Sequence, residues 1–297
     1  MGNILNEFIV RFGENRALTG IFSVPESVQK LPAVIFLNAG TRHRIGPNRI
    51  YTLLARKLAN RGFTGLRFDF SGSGDSCIVN NTRPFRESAA EEIRDAMRLL
   101  RQKTGLDEFI LLGICSGADL AWEICVHEKS IKGLVLINGF LVHAQELEDL
   151  YPAAEEMINA RYYKKKILQP ANWIRFFSGR SNYINIFKSL IKKTAKKQEI
   201  YRTPEHSENY GIWNKIIEKQ IPVLLLYAEG SIGLDFFNLT ARNFLEPNIR
   251  NRILDLKIIP DCDHVFSFAW AREMCMQEAA EWLSMKFTKG ALLREQN

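Results

Sequence analysis

Long apolar runs are absent from this sequence of 297 residues. No stretch reaches the roughly 18 uncharged apolar residues that a membrane-spanning helix needs, so the sequence predicts no such helix. The first residues also lack a basic region followed by an apolar core, and we therefore expect no secretory signal. With 46% hydrophobic and 25% charged residues, the chain has the composition of a globular protein. Its length suits one large α/β domain with an insertion, or two small domains.

Cysteine is scarce, and its spacing argues against several kinds of site. The five cysteines are an odd number, and no two of them form a CxxC pair. They therefore indicate free thiols in a reducing cytoplasm rather than a disulfide framework. No cluster of His, Cys and Asp residues has the spacing of metal ligands, and we expect neither a metal nor another cofactor. The cysteines are Cys77, Cys115, Cys125, Cys262 and Cys275.

Motifs for binding nucleotides and nucleic acids are also missing. The glycine-rich segment 67–76, RFDFSGSGDS, is similar to a phosphate-binding loop, but it contains neither GK[ST] nor GxGxxG. We interpret it as a structural turn in which Asp69 holds the loop amides together. No recognised nucleic-acid-binding module is present, so we expect no nucleic acid partner.

Basic residues are concentrated in one segment. Between Arg161 and Arg202 there are twelve Lys or Arg residues and a single acid, Glu199, whereas the whole chain has a net charge of +7. The remainder of the chain is therefore net acidic. Such a segment can contact an anionic partner, and the candidates are acyl carrier protein, the phosphates of coenzyme A or an anionic membrane surface. The alternative is a set of solvated helix faces, and the oligomeric state stays open.

The order of apolar and helical segments predicts an α/β fold. A hairpin at 7–24 is followed by short, continuously apolar runs that alternate with helical patterns, which is typical of parallel βαβ units covered on both faces. About eighty residues after position 138 lack a convincing strand and contain aromatics and lysines at helical spacing. We therefore predict a mostly parallel eight-stranded sheet, with its core at 1–138 and 215–297 and a helical insertion at 139–214 after the sixth strand. The apolar runs are 33–37, 64–70, 109–114, 133–137, 222–227 and 253–259.

The strongest local signal is a Gly-x-Cys-x-Gly motif between a strand and a helix. In FILLGICSGAD, Gly113 and Gly117 flank Cys115, as a tight strand-to-helix turn requires because side chains at the flanking positions would clash. Such a turn presents its central residue above the sheet edge. We therefore expect Cys115 to be a nucleophile. The N-terminus of the following helix would lower the thiol pKa and provide the Ser116 amide as an oxyanion donor.

A nucleophile of this kind needs a base, and histidine is also scarce. Of the five histidines, only His264 follows the last apolar run, where this arrangement places its base. The acid should follow the run at 222–227. The usual spacing points to Ser231, which is not acidic, so Asp235 is the first choice and Glu229 the second. Asn138 is a third possibility, as a neutral group that orients the histidine.

The loop after the run at 33–37 should provide the second oxyanion donor. Gly40 allows its backbone to approach a substrate oxygen closely, so the amides around Ala39 and Gly40 are the candidates. Three arginines in and beside this loop make it cationic, and Arg42 in particular could meet an anionic substrate group or simply be solvated. In the insertion, Trp173 and Phe177 are candidate contacts for an acyl chain.

Together the LLGICSGAD elbow, the RFDFSGSGDS turn and the DHVFS ending resemble the α/β-hydrolase superfamily. More narrowly, the NAGTRHRIGPNR loop, the cysteine in the elbow and the phrase QPANWIRFFSGRSNYINIF are similar to the exosortase-associated hydrolases. The resemblance extends from about Ala17 to Leu283. It implies Cys115 as the nucleophile and His264 as the base. It leaves the acid open, because the usual Gly-x-x-Asp pattern is missing.

A cysteine nucleophile favours acyl chemistry. A thiolate is both a good nucleophile and a good leaving group, so an acyl-S-enzyme has about the same energy as a thioester. We therefore expect hydrolysis of an acyl ester or thioester through acyl-Cys115. The alternatives are acyl transfer or cyclisation through the same intermediate, and a non-catalytic binding protein on this scaffold. Hydrolysis of a dienelactone is a further possibility, although it predicts a smaller insertion.

Overall fold

The computed structural model describes residues 6–26, 29–40, 42–79, 83–143 and 208–294. The insertion between 144 and 207, with Trp173 and Phe177, lies outside the described residues. Within the described part the chain forms eight strands and seven α-helices. The strands are β1 Asn6–Phe12, β2 Leu18–Val24, β3 Ala33–Leu37, β4 Gly65–Phe68, β5 Phe109–Ile114, β6 Ile131–Ile137, β7 Val223–Ala228 and β8 Leu254–Ile259. The helices are α1 Ile50–Ala59, α2 Phe85–Thr104, α3 Ser116–Ile124, α4 Glu208–Glu218, α5 Ile232–Thr240, α6 Arg242–Arg250 and α7 Ala269–Arg294.

All eight strands belong to one sheet with the order β1-β2-β4-β3-β5-β6-β7-β8. β1 pairs antiparallel with β2, and β2 pairs antiparallel with β4. The other five pairings are parallel. The predicted fold class, a mostly parallel eight-stranded sheet, is confirmed. Because β3, β5, β6, β7 and β8 run in the same direction, their carboxyl ends meet at one edge, where ligand sites of open α/β sheets lie.

Both faces of the sheet are covered, which explains the continuous apolar runs. Ile35 and Leu37 of β3 pack into a cluster with α2, α3 and α4. Val34 and Phe36 of the same strand pack on the other face, against α1 and α7. All five residues of β3 are at most 1% exposed. Among the described helices, none is long and apolar enough to cross a membrane.

Helix α4 crosses the predicted end of the insertion at position 214. Its apolar residues Ile212, Trp213 and Ile216 are buried in the core cluster on the α3 side of the sheet. The Trp213 ring lies 5.7 Å from the Trp122 ring of α3, measured between centroids. Residues 209–214 therefore pack with the core, because the helix has no break at the predicted boundary and buries these apolar residues on one face.

Candidate active site

Cys115 stands in the turn between β5 and α3 with a backbone conformation of φ 55° and ψ −126°. L-residues rarely adopt a positive φ, so the surrounding structure has to impose it. A Cβ on Gly113 would collide with the carbonyl group of Gly117, and one on Gly117 would collide with the carbonyl oxygen of Leu37. The two glycines therefore let strand, turn and helix approach closely enough to form this elbow.

The thiol of Cys115 is partly buried, and burial determines its acidity. Desolvation raises its pKa above the ordinary value, the Ser116 amide lowers it, and the charge of Asp119 raises it. The helix N-terminus acts in the predicted direction. The net pKa is nevertheless raised and not lowered, because the loss of hydration outweighs the single amide. The resting group is therefore a thiol that needs a base.

The loop after β3 meets the elbow through Ser116. The Gly40 amide donates a hydrogen bond to the Ser116 hydroxyl, with 2.7 Å between nitrogen and oxygen. This predicted oxyanion donor is therefore already engaged, and a substrate oxygen would take the place of the hydroxyl on it. Ala39 is buried, and its carbonyl accepts a hydrogen bond from the Arg42 amide at 3.1 Å, which closes the loop.

The arginines of this loop have different surroundings. Arg42 is exposed. The guanidinium of Arg44 forms salt bridges with both Asp69 and Asp75. Asp69 also accepts hydrogen bonds from the amides of Arg44 at 2.5 Å and Asp75 at 3.1 Å, so it holds the two loops together as predicted. Arg44 is therefore committed to structure, and Arg42 is the cation of this pair that a ligand could reach.

Tyr51 joins the strands that carry the two loops. Its hydroxyl donates to the Leu37 carbonyl at 2.7 Å and accepts from the Ile114 amide at 2.8 Å. The side chain is fully buried, and its desolvation raises the phenol pKa far above the ordinary value. The hydroxyl thus spaces the carboxyl ends of β3 and β5, directly before the Gly40 loop and Cys115. Neither spacing nor motif in the sequence indicated this role.

His264 lies in the loop between β8 and α7. Its Nδ1 is 2.8 Å from the hydroxyl oxygen of Ser231. Ser231 is fully buried and also caps α5, since its hydroxyl accepts a hydrogen bond from the Gly233 amide at 3.1 Å. Burial lowers the pKa of His264, while the charge of Asp263 raises it to a lesser extent. The imidazole is therefore neutral at pH 7 and able to act as a base.

Among the hydrogen bonds of the described residues, the one to the imidazole ring comes from Ser231 and not from either predicted acid. Asp235 lies in the first turn of α5 and is 5% exposed. Glu229 accepts a hydrogen bond from the Asp261 amide at 2.8 Å. The partner that the structure gives to Nδ1 is Ser231, the residue to which the usual spacing from β7 points. The assignment of Asp235 or Glu229 as the acid stays a prediction.

Asn138 holds the histidine loop in place through the backbone. Its amide nitrogen donates to the His264 carbonyl at 2.7 Å, and its amide oxygen accepts from the Ala228 amide at 2.8 Å. It therefore ties β6, β7 and the His264 loop together, and in the described part of the chain its side-chain hydrogen bonds go to backbone atoms. The preceding residue, Ile137, accepts a hydrogen bond from the Cys115 amide at 2.8 Å. Cys115 and His264 are thus anchored to consecutive residues of one strand end.

Within the described residues, no hydrogen bond links the Cys115 thiol to the His264 ring. In free enzymes such catalytic contacts are often long and shorten when substrate binds. The edge of the sheet therefore brings together a thiol, a neutral imidazole with one nitrogen held by a serine, and backbone amides at the N-terminus of α3. In the described part of the chain, no group of three or more His, Cys, Asp or Glu residues could hold a metal ion.

Asp119, one turn into α3, is a further charged group beside the thiol. It accepts a hydrogen bond from the Leu141 amide at 2.8 Å, and burial raises its pKa to about 7. When ionised it raises the pKa of Cys115. Asp119 thus couples the elbow to the chain segment that leaves β6, which the sequence analysis did not foresee.

Replacing Asp119 by Asn is expected to lower the pKa of the Cys115 thiol. Asn keeps an acceptor for the Leu141 amide and removes the charge that opposes thiolate formation. The measurement is the rate of alkylation of Cys115 by iodoacetamide as a function of pH, followed by peptide mass spectrometry because the exposed Cys77 can react as well. Asp107→Asn, at an exposed ion pair with Arg101, is the control. An unchanged or higher midpoint in Asp119→Asn would contradict this coupling.

Comparison with known proteins agrees with this architecture. A family model described as alpha/beta hydrolase fold matches residues 32–165. The dienelactone hydrolase from Anabaena variabilis superposes with a TM-score of 0.54 at 14% identity, and the match covers 95% of this chain and 98% of that one. The chain is an α/β-hydrolase-fold protein.

Other solved structures share this hydrolase fold. The Pyrococcus furiosus esterase Pf2001 has a TM-score of 0.56 at 14% identity, with coverage of 95% of this chain and 93% of that one. Proline iminopeptidase from Mycobacterium smegmatis has a TM-score of 0.52 at 17% identity, with coverage of 94% and 98%. No curated protein sequence matches the chain. At these identities the solved structures establish the fold and do not establish the reaction.

Proposed function

We propose that this α/β-hydrolase-fold protein cleaves acyl esters or thioesters through a covalent acyl-Cys115 intermediate. The observation that carries the proposal is the position of Cys115. It occupies a backbone conformation that L-residues rarely adopt, at the N-terminus of α3, and it shares the end of β6 with the anchor of His264. A cysteine without a chemical role would need neither the strained turn nor the two glycines.

The residues divide the reaction into two steps. His264 takes the thiol proton through Nε2, the ring nitrogen that does not face Ser231, and the Cys115 sulfur attacks the acyl carbonyl carbon. The oxyanion is stabilised by the Ser116 amide and by an amide of the Gly40 loop. The leaving group then departs with the proton from the imidazolium. In the second step His264 takes a proton from water, which attacks the thioester and returns Cys115 to its thiol form.

The names of the structural neighbours support esters as the substrate class, since they include an esterase and a dienelactone hydrolase. The finer parts of the proposal depend on the sequence. The motifs resemble the exosortase-associated hydrolases, and the basic segment between Arg161 and Arg202 suits an acyl group presented on acyl carrier protein or coenzyme A. We also propose that the protein is cytoplasmic, because thiols are kept reduced in that compartment.

The test is intact-protein mass spectrometry after incubation with a panel of acyl thioesters and activated esters. The expected result is a transient acyl adduct on the wild-type protein and on Cys77→Ala, which removes an exposed cysteine outside the site. Cys115→Ala should form no adduct at this site. If Cys115→Ala is acylated as rapidly as the wild type, or no donor acylates Cys115, the proposed function is wrong and the binding-protein alternative is favoured.

A further inference from the structure

We propose that the site accepts a thiol more readily than water as the acceptor of the acyl group from Cys115, so that the protein exchanges thioesters in addition to hydrolysing them. This inference depends on the proposed acyl-Cys115 intermediate. It follows from the hydrogen-bond partner of His264, which is the hydroxyl of Ser231. Hydrolysis benefits from a carboxylate at this position.

The hydroxyl of Ser231 gives the imidazole no charge with which to stabilise a proton. Ser231 is fully buried, and its hydroxyl also accepts a hydrogen bond from the Gly233 amide. The contact between Ser231 and His264 therefore lies in a buried position at the start of α5. The nearest charge that affects the ring is Asp263, and its carboxylate accepts a hydrogen bond from the Ser267 amide at 2.9 Å. Burial of the ring outweighs this charge, so His264 remains a weak base.

A weak base distinguishes between acceptors by their acidity. An ordinary thiol has a pKa of about 8.5, about two above that of imidazole at about 6.5. Water has a pKa of about 15.7, about nine above imidazole. A carboxylate beside His264 would help to stabilise the imidazolium that forms as the acceptor loses its proton, and water needs this help far more than a thiol does. Having Ser231 instead of a carboxylate beside His264 therefore slows hydrolysis more than it slows thiol exchange.

The exchange step is balanced without any further reactant. His264 takes the proton of the acceptor thiol, and the acceptor sulfur forms a bond to the acyl carbon of acyl-Cys115. The Cys115 sulfur then leaves and takes the proton back from the imidazolium. One thioester is consumed and one is formed, so the reaction is close to isoenergetic.

Ser231→Asp tests this inference, with Ser231→Asn as the matched control. Asp and Asn have nearly the same size, and both can accept the Gly233 amide as a helix cap. The two variants therefore share any packing strain and differ in the charge beside His264. The acyl-enzyme is formed from an acyl thioester and separated from excess donor. Its decay is then followed by mass spectrometry in buffer and in buffer with N-acetylcysteamine, a thiol without a free amine.

In the wild type, N-acetylcysteamine is expected to accelerate loss of the acyl group and to collect it as a new thioester. Ser231→Asp is expected to hydrolyse the acyl-enzyme about tenfold faster than both the wild type and Ser231→Asn. If the wild-type acyl-enzyme decays at the same rate with and without N-acetylcysteamine, or if Ser231→Asp hydrolyses it no faster than Ser231→Asn, thiol transfer is wrong while acyl-Cys115 stands. If no acyl-enzyme forms at all, the proposed function fails instead.

Discussion

His264→Gln is expected to slow the acylation of Cys115 by about 10²–10⁴-fold, the usual contribution of a general base. Because the thiol pKa is raised by burial, very little thiolate is present at pH 7 without a base. Gln can keep a polar contact with the Ser231 hydroxyl, but it cannot take the proton. The loss should therefore reflect proton transfer rather than misplacement of the loop, which Asn138 holds through the His264 backbone.

The pH dependence of acylation should change as well. Wild-type acylation requires neutral imidazole, and burial lowers the pKa of His264. The wild-type rate should therefore rise with pH below about 6.5 and then level off. In His264→Gln the rate should follow the thiolate and continue to rise beyond pH ~8.5, the ordinary thiol pKa, because the Cys115 pKa is raised.

Acylation by an activated ester, followed by mass spectrometry across the pH range, measures both effects. His127→Gln is the control, since this histidine is exposed at the end of α3 and away from the elbow. Equal rates and equal pH profiles in His264→Gln and wild type would remove His264 from the mechanism.

Gly117→Ala is expected to destabilise the protein by about 3 kcal/mol or more. The added Cβ would collide with the Leu37 carbonyl and lie 2.7 Å from the Asn38 carbonyl. Both are backbone atoms at the end of a strand in the middle of the sheet, so neither can rotate away as a side chain could. Relief requires α3 to move off β3, which would also displace Cys115 and the Ser116 amide.

Urea unfolding measures the change in the free energy of unfolding. Gly211→Ala is the matched control, because this glycine is exposed within α4 and an added Cβ would meet nothing within 4 Å. That variant should be neutral or slightly stabilising, by up to about 1 kcal/mol, since Ala is the better helix former. If Gly117→Ala were as stable as Gly211→Ala, the elbow would have room for a Cβ at position 117, which would contradict this prediction.

Much of the fold could be predicted because its signals are local. Five consecutive apolar residues in β3, or the glycines on both sides of Cys115, form patterns that can be recognised within a few positions of the chain. The boundaries of the insertion were harder to predict from the sequence, as α4 shows. Whether residues 209–214 belong to the core depends on Trp213 meeting Trp122, a contact between segments about ninety residues apart.

The site was only partly predictable for the same reason. The sequence alone determined which residues are the candidate nucleophile and base, because Cys115 and His264 are marked by their positions after particular strands. Only the tertiary structure decided what surrounds them. It placed Ser231 rather than an acid at the imidazole. It also placed the Tyr51 hydroxyl between the ends of β3 and β5, and burial raised the pKa of the Cys115 thiol. Hydrogen-bond partners and burial depend on which distant segments come together in space, whereas a turn or a strand depends on its neighbours in the chain.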